Sequence, residues 1–273
     1  MGIDRGTYTS RRVVPENASW ATAADWESGD LSSVDLEGDG IRFRGTKYGG
    51  PPASGVARWP LEETVEDVWG EHDGVNRGAS FTSDSELRDG AWFNAGSEDY
   101  IALPQVQLAG PEMSVSAWVK PTHHGESSYD RVLSAGTYQP FNLVIYGHGS
   151  GSWEPYFDIT TEHDRGTAGQ PWEYPDQTFA WDTRHHLLGV YGDGYVRMYV
   201  DGSEIASQQL TGELDTSKYG YTTYSYIGTR EKDASGGPIQ EFLSGFLKDV
   251  RVYDKVLSPS EAVGLYETGT IDG

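Results

Sequence analysis

Residues 184–202, RHHLLGVYGDGYVRMYVDG, constrain the fold of this chain more than any other stretch. His186, Leu188 and Val190 alternate with outward positions, Gly192-Asp193-Gly194 breaks the run, and Val196, Met198 and Val200 alternate again before Asp201-Gly202. Side chains on a strand point to opposite faces with a period of two, and Asp-Gly supplies the positive φ angles of a tight turn. The stretch therefore reads as a β-hairpin with His186, Leu188 and Val190 on its inward face. Cysteine is absent from the 273 residues. The core is thus held by packing and hydrogen bonds, and thiolate nucleophiles and thiolate metal sites are excluded.

A second strand lies near the end of the chain. Phe246, Lys248, Val250 and Val252 fall on one face and Leu247, Asp249, Arg251 and Tyr253 on the other. Ser258-Pro259-Ser260-Glu261 follows, with Ser at N-cap, Pro at N1 and Glu at N3, which predicts a short helix over Pro259–Glu267. At the other end, residues 1–52 are poor in apolar groups, and only Ile41 and Phe43 alternate as a strand would. Such a segment cannot bury a core of its own. It is read as an N-terminal arm, an assembly segment that ties the chain into a homo-oligomer.

From Gly55 onward seven segments follow in order: Ala57-Arg-Trp-Pro-Leu-Glu62 with Glu71-His-Asp-Gly74, Ala91 to Pro104, Ser114-Val-Ser-Ala-Trp-Val-Lys-Pro121, Arg131-Val-Leu-Ser-Ala-Gly136, the 184–202 hairpin, Tyr226-Ile-Gly228, and Phe246 to Glu261. Together they resemble the laminin-G-like, or concanavalin A-like, jelly-roll domains, over about residues 55–268. The resemblance implies an all-β fold: a two-sheet antiparallel jelly-roll sandwich with a short C-terminal helix, preceded by the N-terminal arm. The expected division is an arm at 1–52, the sandwich at 53–268 and a tail at 269–273.

Charge narrows the partners. The chain holds 42 Asp and Glu against 20 Lys and Arg, a net charge of −22, and only six of its bases are lysines. Such a surface repels nucleic acid and anionic lipid at low salt, so nucleic-acid partners are not expected. Acid excess with arginine preferred to lysine resembles the proteins of extreme halophiles, where salt screens charge over ~3 Å at 1 M; an ordinary acidic secreted protein is the alternative. No run approaches the ~18 apolar residues of a membrane span, and residues 1–19 lack the apolar centre of a signal peptide. Membrane insertion and self-directed export are therefore not expected.

The implied family includes glycoside hydrolases, whose retaining members set two carboxylates ~5 Å apart, on one strand as E-x-D-x-E or E-x-D-x-x-E. E-x-D occurs at Glu37/Asp39, Glu71/Asp73, Glu162/Asp164, Glu213/Asp215 and Glu231/Asp233, and none is followed by the second Glu. There is no G-x-S-x-G elbow, and the seven histidines form no zinc spacing. No catalytic residue is assigned.

A binding surface remains. Between Tyr146 and Trp181 the chain carries Trp153, Tyr156, Trp172 and Tyr174 near turn residues, with Glu154, Asp158, His163, Asp164 and Arg165 among them. Sugar rings offer apolar C–H faces and a rim of hydroxyls, which flat aromatics and carboxylates match. The candidate carbohydrate contacts are Trp153, Tyr156, Asp158, Trp172 and Tyr174. The structural alternative is that these rings plug one end of a sandwich, and of the strand neighbours Tyr156 and Phe157 one must point inward. A second aromatic run, Tyr219 to Tyr226, is read mainly as core. The resemblance also implies a structural Ca²⁺ held by Asp249 with the carbonyl of Gly96; hard oxygen ligands suit that ion, and an ion-paired Asp249 is the alternative.

The expectation is a non-catalytic carbohydrate-binding or adhesion domain of a virion surface protein, a fibre, spike or turret. It would recognise host glycans or an S-layer glycoprotein in high salt and pack against other virion proteins. An extracellular or cell-surface location, a purely structural decoration subunit, and a glycoside hydrolase with an atypical site are the alternatives.

Overall fold

The structure, a computed structural model, describes residue 52 and residues 54–106, 108, 110–123, 128–135, 140–149, 151–169, 177–215, 224–231 and 239–269. The arm at 1–52 and the tail at 269–273 fall outside them, apart from Pro52 and Gly269.

The strands among the described residues are β1 (Gly55–Trp59), β2 (Val75–Arg77), β3 (Ser80–Asp84), β4 (Arg88–Phe93), β5 (Tyr100–Pro104), β6 (Met113–Pro121), β7 (Tyr129–Ser134), β8 (Phe141–Gly147), β9 (Trp153–Thr160), β10 (Arg165–Ala168), β11 (His185–Gly192), β12 (Tyr195–Val200), β13 (Ser203–Gln209), β14 (Tyr224–Ile227), β15 (Arg230–Glu231), β16 (Ile239–Gln240) and β17 (Gly245–Tyr253). One α-helix, α1 (Pro259–Thr268), follows them, and a single 3-10 turn (Ala95–Ser97) lies between β4 and β5. Eight strands form a sheet in the order β13-β12-β11-β6-β17-β4-β3, with β1 also paired to β17. Seven form a second sheet in the order β10-β9-β8-β7-β14-β5-β2, and β15 and β16 make a small ribbon. The expected all-β, two-sheet antiparallel jelly roll with its short C-terminal helix is what the chain forms. No helix among the described residues is long and apolar enough to cross a membrane.

Between the sheets lie Leu187, Val196, Met198, Leu247, Val250 and Val252 from one side and Ile101, Leu133, Phe157 and Ile159 from the other. Burying such side chains drives the sandwich together, at ~25 cal/mol per Å² of apolar surface. At Gly189 the facing sheet comes close: a Cβ there would stand 2.3 Å from Cγ of Phe157. Glycine at that point of β11 leaves room for the ring.

The hairpin forms, with β11 paired to β12 from Leu187↔Val200 to Gly192↔Tyr195. Asp193 and Gly194 turn at φ 53 and 78, and Asp201 and Gly202 turn at φ 50 and 78, the left-handed angles that tight two-residue hairpin turns need. The face assignment of β11 is corrected, however. Leu187 and Tyr191 point into the sandwich, whereas Leu188 and Val190 pack on the opposite face with Tyr253, Leu257, Ala262 and Leu265. The helix covers the outside of this sheet, so both parities of β11 are buried and apolar. Alternation alone cannot say which face is which.

The alternation of β17 is corrected too. Its pairing with β6 shifts register between Lys248 and Arg251, and Asp249 adopts φ 55. This bulge turns the strand by one position, so that Leu247, Val250 and Val252 all reach the core.

Helix α1 begins as expected. Ser258 accepts a hydrogen bond from the Glu261 amide, Glu261 answers from its side chain, and Gly269 closes the other end at φ 72. Ser258→Ala is expected to cost ~1 kcal/mol in a denaturant titration, because α1 shields the outer face of the eight-stranded sheet.

His186 also lies on that outer face, 3% exposed, with its ring 5.1 Å from that of Trp118. Burial, aided by Arg251, pushes its pKa down from 6.5 to about 4. The unfolded chain therefore binds a proton that the folded chain refuses between those two values, and stability falls as pH drops from 6.5 toward 4. The lowering amounts to about 3 kcal/mol by linkage. His186→Phe is expected to flatten the melting temperature over that range; an unchanged slope would assign the acid sensitivity to other groups.

Candidate functional site

Strands β7, β8 and β9 lie side by side in the seven-stranded sheet. Leu133, Leu143, Ile145, Trp153, Phe157 and Ile159 point into the core, so the alternate positions stand on the outer face. Register sets them in rows. Tyr129 pairs with Tyr146 and Tyr146 with Glu154. In the next row Arg131 pairs with Val144 and Val144 with Tyr156, and in the third Asn142 pairs with Asp158.

The aromatic row is in contact and partly open. The rings of Tyr129 and Tyr146 lie 4.8 Å apart, Tyr129 meets Tyr156 edge-on at 6.5 Å, and Tyr129 is 38% exposed. Its burial pushes the Tyr129 hydroxyl above its ordinary pKa, so the phenol stays a neutral donor at neutral pH.

The polar groups beneath are tied down on one side and unsatisfied on the other. Arg131 donates from Nε to Glu241 Oε2 at 2.7 Å, and its Nη2 lies 2.5 Å from the same oxygen. Arg230 grips Glu241 through two 2.6 Å hydrogen bonds. Against the effect of burial, Arg230 and Arg131 hold the Glu241 carboxyl below its ordinary pKa. Arg131 Nη1, however, is buried without a hydrogen-bond partner. Glu154 is 2% exposed. His148 Nε2 sits 3.0 Å from its Oε1, yet neither carboxylate oxygen receives a well-directed hydrogen bond. Burial pushes the Glu154 carboxyl up, and His148 offsets this only in part. Buried polar atoms are nearly always paired in folded proteins. One donor and two acceptors left over beside partly open tyrosines are what a polyhydroxylated ligand would satisfy.

Three of the five expected carbohydrate contacts fall on β9, on different faces. Tyr156 and Asp158 lie on the outer face. Trp153 lies on the inner one, at 0% exposure, where its Nε1 donates to the Ala180 carbonyl at 2.9 Å and its ring meets Phe179 at 5.1 Å. No face of that ring is open for stacking; it plugs the sandwich, and Trp153 is corrected to a core residue. Tyr156 is buried at the centre of the outer-face cluster. Asp158 is held by Arg165 Nη2 at 2.5 Å and by the Thr167 hydroxyl, so it braces β9 against β10. Part of the segment between Tyr146 and Trp181 is thus sheet, β9 and β10, where mainly loops were expected. Trp172 and Tyr174 lie outside the described residues. Of the second aromatic run, residues 219–223 also lie outside them. Tyr226 is on the outer face, donating to Glu231 Oε1 at 2.5 Å.

The two residues named for Ca²⁺ are not brought together. Gly96 sits in a turn just after Phe93, which pairs with Gly245; Asp249 is four residues further along β17, roughly 13 Å at the rise of a strand. A calcium ion needs its ligands within ~2.6 Å. Asp249 is instead engaged by Arg58 Nε at 2.7 Å and by Arg251 Nε at 3.1 Å. Among the described residues no group of three or more His, Asp or Glu is arranged to hold a metal.

Glu154 and Asp158 stand at i and i+4 on one strand face, but Asp158 is committed to Arg165 and Thr167. The arrangement offers rings and hydrogen-bonding groups to a ligand, and on this face it leaves no uncommitted carboxylate pair among the described residues. Sequence reasoning missed Tyr129, Arg131, Tyr146 and Glu241. For Tyr129, Arg131 and Tyr146 the signal was the outward parity of β7 and β8, of which only residues 131–136 fell within the resembling segments; Glu241 had no local signal.

A family model described as the concanavalin A-like lectin/glucanases superfamily matches residues 95–262. No curated protein matches the chain. Among solved structures the chain is similar to the binding domain of Paraclostridial Mosquitocidal Protein 1, at 10% identity and a TM-score of 0.58, covering 79% of this chain and 52% of that one. It is similar to the botulinum neurotoxin type G receptor binding domain, at 11% identity and a TM-score of 0.56, covering 80% and 52%. The chain thus spans about half the length of these toxin domains. It is also similar to domain 4 of AbnA, a GH43 extracellular arabinanase from Geobacillus stearothermophilus in complex with arabinotriose, at 15% identity and a TM-score of 0.52, covering 78% and 98%. At these identities the likeness is one of fold.

Proposed function

The chain belongs to the concanavalin A-like lectin/glucanase superfamily, and on that premise we propose that it is a non-catalytic glycan-binding domain whose site is the outer face of β7, β8 and β9. The observation that carries this reading is the coincidence of partly open tyrosines, Tyr129 and Tyr146, with buried polar atoms of Arg131 and Glu154 that have no hydrogen-bond partner. A sugar satisfies both at once, stacking a C–H face on a ring and offering hydroxyls to the charged groups. The similar arabinanase domain was solved with arabinotriose, which supports a saccharide as the kind of ligand to try first.

The finer reading sets this binding on a virion or cell surface in high salt. The excess of 42 acidic over 20 basic residues supports the salt; assembly through residues 1–52 is the part of the reading that a truncated chain tests by its particle mass.

The test is a glycan array probed with the full chain in molar salt, followed by titration of the best ligand. Tyr129→Ala is expected to weaken that ligand roughly tenfold, the worth of one aromatic contact, with the melting temperature almost unchanged. Absence of any saccharide ligand, or release of reducing sugar from polysaccharides, would overturn the proposal in favour of a structural subunit or an enzyme.

A further inference from the structure

Away from the sheet face, an open groove of about 760 Å³ runs between the β3–β4 turn and the segment leading into β11. Arg88, Arg184, His185 and Phe179 are among the residues that line it. In a chain with twice as many acids as bases an arginine has many carboxylates to choose from, and most described arginines are paired with one. Arg88 and Arg184 have no ion-pair partner among the described residues. Arg184 rests over the Trp118 ring at 5.0 Å and reaches only the Glu86 carbonyl, at 3.4 Å.

Arg88 closes the β3–β4 turn, where Asp84 accepts from the Glu86 and Leu87 amides. Its φ of 59, shared in sign by seven other described non-glycine residues, costs a long side chain more than it would cost glycine. The acid that shares the groove, Glu86, is already paired, with its Oε2 2.9 Å from Lys120 Nζ. His185 is engaged on both ring nitrogens, by Asp201 at 2.8 Å and Thr183 at 3.1 Å. The two guanidiniums are therefore the charged groups of the groove without a carboxylate partner among the described residues, and a half-buried Phe179 lines the same groove.

We infer that this groove is a separate site for an acidic saccharide, one whose uronate carboxylate is gripped by the planar forks of Arg88 and Arg184 while its ring lies against Phe179. Arginine matches a carboxylate in two parallel hydrogen bonds, and an aromatic ring accepts the apolar sugar face. The inference does not depend on the sheet-face site.

The experiment titrates the full chain with tetragalacturonate, with the neutral galactotetraose and with inorganic sulfate. Salt is kept at or above 0.15 M, where the Debye length of ~8 Å confines the repulsion from the net charge. Tetragalacturonate is expected to bind at least tenfold more tightly than either control. Arg88→Gly should lose roughly tenfold of that affinity while melting at the same or a higher temperature, since glycine relaxes the backbone. Arg184→Gln should lose a similar factor, and Glu162→Gln, an exposed carboxylate outside both sites, none. Equal affinity for the acidic and neutral oligomers overturns the inference. So does sulfate binding as tightly as tetragalacturonate, or undiminished binding by Arg88→Gly. Loss of tetragalacturonate binding in Glu154→Gln alone would move the ligand to the sheet face and overturn it as well.

Discussion

Asp249→Ala is expected to destabilise the chain by about 3–5 kcal/mol in a denaturant titration, the cost of leaving buried charges without their counter-ion. Asp249 accepts from two guanidiniums at once, Arg58 and Arg251, whose side chains are 14% and 6% exposed. Both guanidiniums lie over the Trp69 ring, at 5.7 and 5.8 Å, and Arg251 also holds the Gly269 carbonyl at the end of α1 at 2.7 Å. Removing the carboxylate leaves two like charges facing each other, and it frees the strand bulge and the helix end together. Although burial opposes it, Arg251 and Arg58 bring the Asp249 pKa from 3.8 to about 2. A lowered carboxylate pKa adds stability that is complete above the unfolded value and is lost as pH falls through the folded one. The wild type should therefore lose about 2 kcal/mol between pH 4 and pH 2 from this group, and the variant should not. A loss under 1 kcal/mol in Asp249→Ala would mean that water replaces the carboxylate freely.

Glu154→Gln is expected to raise the melting temperature while weakening glycan binding about thirtyfold or more. A buried carboxylate with neither oxygen well hydrogen-bonded costs the folded state ~1–3 kcal/mol, and a neutral amide of the same shape relieves much of it. The same change removes the charge and one of two acceptors from the ligand, and hydrogen bonds to charged groups contribute ~1.5–3 kcal/mol each. Stability and binding thus move in opposite directions, which a merely structural role for Glu154 would not produce. If Glu154→Gln lowers stability and leaves binding intact, His148 is a full partner for the carboxylate and the site lies elsewhere.

The sandwich was legible because its strongest signals are local. The Asp-Gly turns and the Ser258 capping box each specify their own geometry within a few residues, and both appear as expected. The faces of β11 and the bulge at Asp249 were not, because they depend on what covers the sheet. Helix α1 buries the parity that looked outward, and a left-handed aspartate shifts the strand by one position. The site was legible in part. Tyr156 and Asp158 were singled out and do lie on the outer face, yet Trp153 was drawn from the same segment and belongs to the core. Strand parity separates them only once the strand is known to start at Trp153. Arg131 and Glu241 meet across 110 residues of sequence, a contact that sheet topology makes and no local spacing shows. Arg88 carried no signal at all before its place in the groove beside Arg184 was known.

The central claim is that glycans bind on the outer face of β7, β8 and β9. The most direct measurement is the backbone amide spectrum of the full chain titrated with the best saccharide from the array. The account predicts saturable shifts concentrated at Tyr129, Arg131, Tyr146, Glu154 and Tyr156, absent in Glu154→Gln at the same ligand concentration. Shifts that leave those five amides still and gather elsewhere, at the Arg88 groove or under α1, would contradict it.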